Sequence, residues 1–237
     1  MRKLLQFLIV IAFLQIPMQS KGQAALLVLI FGEQAATEQF HFSLDFGANF
    51  THIGTLGGNP RFGWHFGLGN HIKINEKSKL IIEFTPLNQR GERRIHAFEP
   101  LPPGIDSTYT SQEYQLNYNS LDIPIIYSYY LSDHWQLSGG ATFSYITQAS
   151  QTIKGDLTRG GEFDIDIDML PQMQQFQASV LVDLCYHIDE IIANKPLDIR
   201  FRVNQGLTPL FNSNTSPTGR ETYFQFVLSL PFLKHEK

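Results

Sequence analysis

The sequence predicts an all-β protein: an eight-stranded antiparallel up-and-down transmembrane β-barrel of the outer-membrane type. Three observations predict it. Apolar and polar residues alternate with a period of two over eight segments between Phe40 and Phe232, and successive strand side chains point to opposite faces. The connections run long, short, long, short, long, short, long, the rhythm of barrels with long external loops and short periplasmic turns. Charged residues make up only 17% and aromatics 13%, against roughly 25% charged in a soluble domain. No run approaches the ~18 apolar residues of a spanning helix.

The chain begins as an export signal. Arg2 and Lys3 precede an apolar stretch from Leu4 to Pro17, and Ser20-Lys21-Gly22 supplies a small-residue cleavage context. Residues 1–22 are therefore assigned to a signal peptide, with Ala24 as the alternative cleavage position. Removing Arg2, Lys3 and Lys21 from the 18 basic residues leaves 15 against 22 acidic ones, a net charge of −7. That balance argues against a nucleic-acid partner. Residues 23–39 form a lead-in whose apolar Ala24–Phe31 either extends the signal or enters the periplasm. The barrel spans 40–232, and 233–237 form a tail.

The first strand carries Phe40, Phe42, Leu44, Phe46, Ala48 and Phe50 on one face, with His41, Ser43, Asp45, Gly47 and Asn49 on the other. After the Gly-rich Thr51–Pro60 connection come Phe62, Trp64, Phe66, Leu68, Ile72 and Ile74. A turn at Asn75–Lys79 leads to Leu80, Ile82 and Phe84, then to a long polar connection from Asn88 to Glu113. Tyr114, Leu116 and Tyr118 alternate in even phase, whereas Leu121 to Leu131 alternate in odd phase. That slip predicts a bulge near Asn119-Ser120. Across the Ser132-Asp133-His134 turn, Tyr129 faces Leu137 and Ile123 faces Phe143, so the apolar faces of the fourth and fifth strands coincide.

A second long connection, Gln148–Gln175, contains Glu162–Asp168, whose acidic and apolar residues alternate as in a hairpin arm. Phe176–Ile188 and Leu197–Val203 form the sixth and seventh strands. The Gly206–Arg220 loop precedes the last strand, Thr222–Phe232. Cys185, the sole cysteine, has no disulfide partner in the chain.

The run Leu121-Asp-Ile-Pro-Ile-Ile-Tyr-Ser-Tyr-Tyr130, followed by a short polar turn and Leu137-Ser-Gly-Gly-Ala141, resembles the PorT-like group of bacterial outer-membrane β-barrel domains. By strand layout the resemblance covers residues 40–232. It implies an eight-stranded barrel in the outer membrane and permits a place in secretion machinery. It brings no catalytic motif.

Alternation alone does not say which face meets lipid, and a soluble lipocalin-like barrel has the same period with the opposite sense. The polar phase here is Gly, Ser, Asn, Gln and His with few Lys or Glu, a poor soluble exterior. The apolar phase is rich in Phe, Tyr and Trp, bulky for the interior of an eight-stranded barrel and suited to interfacial girdles.

The polar phase then predicts an interior charge network of Asp45, Glu83, Asp183, His187, Asp198, Arg200 and Arg202. Counting from the turn at Asp189–Pro196 places Asp183 opposite Arg202 and His187 opposite Asp198. Arg200 needs its own acid, with Asp45 and Glu83 as candidates, because an unpaired charge in a narrow interior is costly. Counting from the second turn sets His71 against Glu83. Each His–carboxylate pair has the makings of a general base, but no Ser–His arrangement stands at an external strand end. No catalytic, cofactor or metal residues are assigned, and Glu162–Asp168 lacks the Gly and spacing of an EF-hand loop. Arg90, Arg93 and Arg94 are candidates for lipopolysaccharide phosphates, which suit bidentate Arg contacts. The leading function is a non-enzymatic outer-membrane barrel, structural or partner-binding through its long loops, in contact with outer-membrane lipid, lipopolysaccharide and an envelope protein partner. The alternative is a membrane-embedded lipid-modifying hydrolase.

Overall fold

The computed structural model describes residues 36–37, 39–96, 98, 109–158, 160–192, 195–212 and 219–232. The assigned signal peptide, Ala24–Phe31, the Pro100–Pro103 segment and the tail 233–237 lie outside the described residues. The elements are β1 (Phe40–Ile53), β2 (Asn59–Asn75), β3 (Ser78–Arg93), β4 (Tyr109–Tyr130), β5 (Trp135–Leu157), β6 (Glu162–Asp168), a 3-10 turn at Leu170–Gln172, β7 (Phe176–Ile192), β8 (Lys195–Gly206) and β9 (Glu221–Phe232). All pairings are antiparallel. The order β4-β3-β2-β1-β9-β8-β7-β5 closes through β4–β5 into a ring of eight. Closure pairs the strand edges, the condition for a sheet to cross lipid. The ninth strand, β6, lies outside the ring and pairs with Ser150–Asp156 of β5.

The two faces have the polarity of a membrane barrel. Phe46, Val182 and Phe201 point outward and are 51%, 59% and 58% exposed. Asp45, Glu83, Asp183, Arg200 and Arg202 point inward and are buried. A soluble barrel would place these groups the other way round, so the lipocalin-like alternative is set aside.

Polarity inverts toward the long-loop end. On β4, Ser120, Asp122 and Ser128 are buried inside while Ile123, Ile125, Tyr127 and Tyr129 face out. Higher up, Leu116 and Tyr118 are the buried residues. The inward phase of β4 is thus even throughout and does not slip. What changes is which face is apolar. The register shift at Asn119/Ser120 comes from an extra residue on β5, Thr147, whose hydroxyl donates to Asn119 O at 3.2 Å. The bulge therefore sits on β5, not β4. A second shift lies on β3 between Thr85 and Asn88, where Pro86 lacks an N–H to offer the ladder.

Strands of 22 and 23 residues, β4 and β5, exceed the ~9–11 residues that cross a bilayer. Their upper halves stand above the apolar band and enclose a second core. Ile53, Leu56, Ile95, Leu116, Ile146, Met169, Met173, Leu210 and Phe211 are buried together there. Loop segments close it: Met173 pairs with Phe211, Gln174 N donates to Leu210 O at 3.0 Å and Asn212 N to Gln172 O at 2.9 Å. Glu92 reaches up from β3 to accept from Ile53 N at 2.5 Å and Gly58 N at 3.0 Å, which fixes the β1–β2 turn over the lumen.

Candidate functional site

The chain's polar side chains converge in the lumen, in three tiers. In the first, Arg200 and Arg202 lie on β8 with Asp183 on β7 beside them and Glu83 on β3 across the lumen. Arg202 Nε donates to Asp183 Oδ2 at 2.9 Å, and its Nη1 and Nη2 grip Glu83 Oε2 and Oε1 at 2.8 and 2.7 Å. Arg200 Nη1 donates to Glu83 Oε1 at 2.6 Å, and its Nη2 lies 2.9 Å from Asp183 Oδ2. Two arginines thus share two carboxylates, so Arg200 is served by Glu83 and Asp183 together. Asp45 instead accepts from Ser43 Oγ at 2.9 Å. Nearer the short turns, His187 Nδ1 meets Asp198 Oδ1 at 2.5 Å.

His71 does not face Glu83. The β2–β3 turn is only Glu76-Lys77 and the register shifts once more between Lys73 and Asn75, so His71 lies opposite Ile81 and Glu83 opposite Gly69. His71 Nε2 instead contacts Ser43 Oγ at 2.9 Å. Ser43, His71 and Asp45 form a chain, but the serine stands between the other two and donates to Asp45. A nucleophilic triad needs the histidine in the middle, taking the serine proton. All three are buried among wall residues, so the arrangement acts as filling.

The second tier is a ladder of amides. Asn49 Oδ1 accepts from Gln225 Nε2 at 2.9 Å and contacts His65 Nδ1 at 3.0 Å, while Asn49 Nδ2 donates to Asn88. Asn204 Nδ2 donates to Gln225 Oε1 at 3.1 Å. Asn88 Nδ2 passes the ladder on to Asp122 Oδ2 at 2.5 Å.

The third tier is centred on Arg90. It is fully buried and paired with Glu221 and Asp122, the latter at 3.2 Å. It donates to Ser120 Oγ at 2.5 Å and lies 4.7 Å from the Tyr223 ring centroid. Tyr118 donates its hydroxyl to Glu221. Arg90 is therefore not available to lipopolysaccharide. The polar run around it reads as loop in sequence, yet β3 continues through Arg93 and directs Arg90 inward. Arg93 and Arg94 remain at the rim, Arg94 with Glu113 3.7 Å away. Asp122, Tyr118 and Tyr223 stand on strands that the sequence predicts, with Glu221 at the edge of one, and none was singled out. Their signal was phase alone, the inward even positions of β4 and the odd positions of β9.

Above this tier lies the apolar lid. At the opposite end a vestibule of about 700 Å³ opens between the short turns, lined by His41, Lys79, Gln136, His187 and Asp198 among others. Among the described residues no group of His, Cys, Asp and Glu has metal-binding geometry.

No curated protein matches the chain. Solved structures with similar folds include Ail, the attachment invasion locus protein of Yersinia pestis (8% identity, 83% of this chain and 100% of that one, TM-score 0.41). Neisserial surface protein A is 14% identical over 84% of this chain and 100% of its own, with a TM-score of 0.40. The N-terminal β-barrel domain of Pseudomonas aeruginosa OprF is 8% identical over 80% and 97%, with a TM-score of 0.34. The family model described as "Outer membrane protein beta-barrel domain" matches residues 30–212, most of the chain. With its closed eight-stranded ring and lipid-compatible exterior, the chain belongs to this family of outer-membrane β-barrel proteins and is located in the outer membrane.

Proposed function

We propose that this barrel is a sealed, non-enzymatic anchor that presents its long-loop end outside the cell to an envelope partner, after export directed by residues 1–22. The observation that carries the reading is the filled lumen. Among the described residues, charge network, amide ladder, Arg90 cluster and apolar lid follow one another along it. Sealing makes the loops, rather than the bore, the working surface. Among the described residues, the most prominent loop feature is the β5–β6 arm, stiffened by Lys154–Asp164 at 3.4 Å and by Thr152 Oγ1 donating to Asp166 Oδ1 at 2.5 Å. A partner in secretion machinery fits the PorT-like resemblance, and lipid and lipopolysaccharide would surround the wall.

A photoreactive residue at Phe163, half-buried on the arm, tests the reading in intact cells. One discrete adduct that disappears when Asp164 and Asp166 are both changed to Lys supports partner binding through the arm. Its absence at Phe163 and at Phe98 alike rejects it. The hydrolase alternative predicts altered lipid A acylation in a deletion strain, whereas the anchor reading predicts an unchanged lipid A mass spectrum.

A further inference from the structure

We propose that the vestibule between the short turns is a binding site for the terminal carboxylate of a periplasmic peptide, built on Lys79 and Gln136. That the peptide is periplasmic rests on the reading that the long loops face outward. The site itself rests on the vestibule wall.

The buried arginines of the lumen all have carboxylates. Arg90 has Glu221 and Asp122, while Arg200 and Arg202 share Glu83 and Asp183. Lys79 is the exception. It is only 5% exposed, and among the described residues it has neither a hydrogen-bond acceptor nor a carboxylate at ion-pair distance. Its ammonium lies 5.4 Å from the Tyr130 ring centroid. A ring face is a weak partner for a charge withdrawn from water.

Gln136, 2% exposed, repeats the pattern. Its Oε1 accepts from Ser128 Oγ at 3.3 Å, whereas its Nε2 finds no acceptor among the described residues. The register sets Lys79 opposite Ser128 on β4, and Tyr130, two residues on, opposite Gln136. Lys79, Tyr130 and Gln136 therefore stand side by side on three neighbouring strands, and all three line the vestibule. Two buried donors without acceptors face one cavity. A carboxylate brings two acceptor oxygens and the opposite charge.

The lining acids are otherwise engaged or exposed. Asp198 meets His187 at 2.5 Å, Asp189 lies 3.4 Å from the same ring, and Glu76 accepts from Lys73 at 2.8 Å. Asp133, the fourth lining carboxylate, sits on the exposed β4–β5 turn. Acids around the mouth penalise every further negative charge, so a singly charged carboxylate suits the site better than a phosphate of about −1.5 to −2. The volume of about 700 Å³ falls within the roughly 300–1,000 Å³ of small-molecule pockets. That is room for the end of a peptide rather than for a bare ion.

NMR titration of the refolded, ¹⁵N-labelled barrel in detergent micelles, with acetyl-Ala-Ala-Ala as probe, tests the site. Wild type is expected to show saturable shifts of the Gln136 side-chain amide, and the C-terminal amide of the same peptide should produce none. Lys79→Met should weaken binding at least tenfold, and Lys79→Arg should restore most of it. Gln136→Leu should weaken binding severalfold and keeps the test decisive if Lys79→Met does not fold. Equal affinity in wild type and folded variants, or for the acid and amide peptides, overturns the proposal. Displacement of the peptide by an equal concentration of acetate or inorganic phosphate would assign the site to a simple anion and overturn the peptide assignment. Micelle binding does not depend on orientation in the cell. Binding intact with the short turns labelled on intact cells would therefore overturn the orientation and not the site.

Discussion

Arg202 and Glu83, 119 residues apart in the chain, meet as a two-pronged fork across the full width of the barrel, at 2.8 and 2.7 Å. Their strands, β8 and β3, are four places apart in a ring of eight and so stand diametrically opposite. This single contact bridges the lumen from wall to wall, and Asp183 and Arg200 complete a neutral four-charge cluster around it.

The cluster's neutrality sets the first prediction. Asp183→Ala strands two arginines against one carboxylate, and breaking a buried ion pair costs about 3–5 kcal/mol. Asp183→Ala with Arg202→Ala leaves Arg200 paired with Glu83 and should cost less. In urea titrations followed by heat-modifiable mobility, the double variant should be more stable than the single. A double-mutant cycle with coupling near zero would contradict the pairing.

The exterior sets the second. Phe46→Arg, Val180→Arg and Phe226→Arg each place a cation on the lipid face, and each should cost about 2–4 kcal/mol near the bilayer midplane. Ser150→Arg, outward but above the apolar band, should be nearly neutral. Equal costs at all four positions would misplace the membrane boundary.

Much of this architecture was legible in the sequence, because period-two alternation fixes strands and faces and short turns fix register. The β7–β8 turn leaves Ile188 against Leu197, which sets Asp183 opposite Arg202. Two things were not legible. Above the membrane the apolar residues turn inward, so Leu116 and Tyr118 look out of phase although the strand is not. Polar strands standing in water also lose the lipid-facing signature, so Arg90 reads as loop and the hydrogen bonds that hold it remain hidden. The His71–Glu83 pairing failed on two counts: a two-residue turn replaces the longer one counted, and the ladder shifts by one more residue between Lys73 and Asn75.

The lid sets the third prediction. Phe211 is buried at its centre against Phe98, with ring centroids 4.9 Å apart, and Phe→Ala in a core costs about 3–5 kcal/mol. Because the lid is a separate core, Phe211→Ala should loosen loops without unfolding the ring. Hydrogen exchange should accelerate at Leu210 and Gln174 and stay unchanged at Leu181 and Leu184. Uniform acceleration would mean that lid and ring unfold together.

Topology sets the fourth. In a Cys185→Ser background, Thr158→Cys and Gly161→Cys should label on intact cells, whereas Glu76→Cys and Asp133→Cys should label only after permeabilisation. The reverse pattern would invert the barrel.

Ion conductance across a planar bilayer tests the central claim, the sealed lumen, most directly. Wild-type barrel should insert without steady current. Phe211→Ala alone should also remain closed, because the charge network still blocks the bore. Combined with Asp183→Ala it should also remain closed, because the Arg202–Glu83 fork, the amide ladder and the Arg90 cluster still cross the bore. A stable ohmic conductance from wild-type protein would contradict the account.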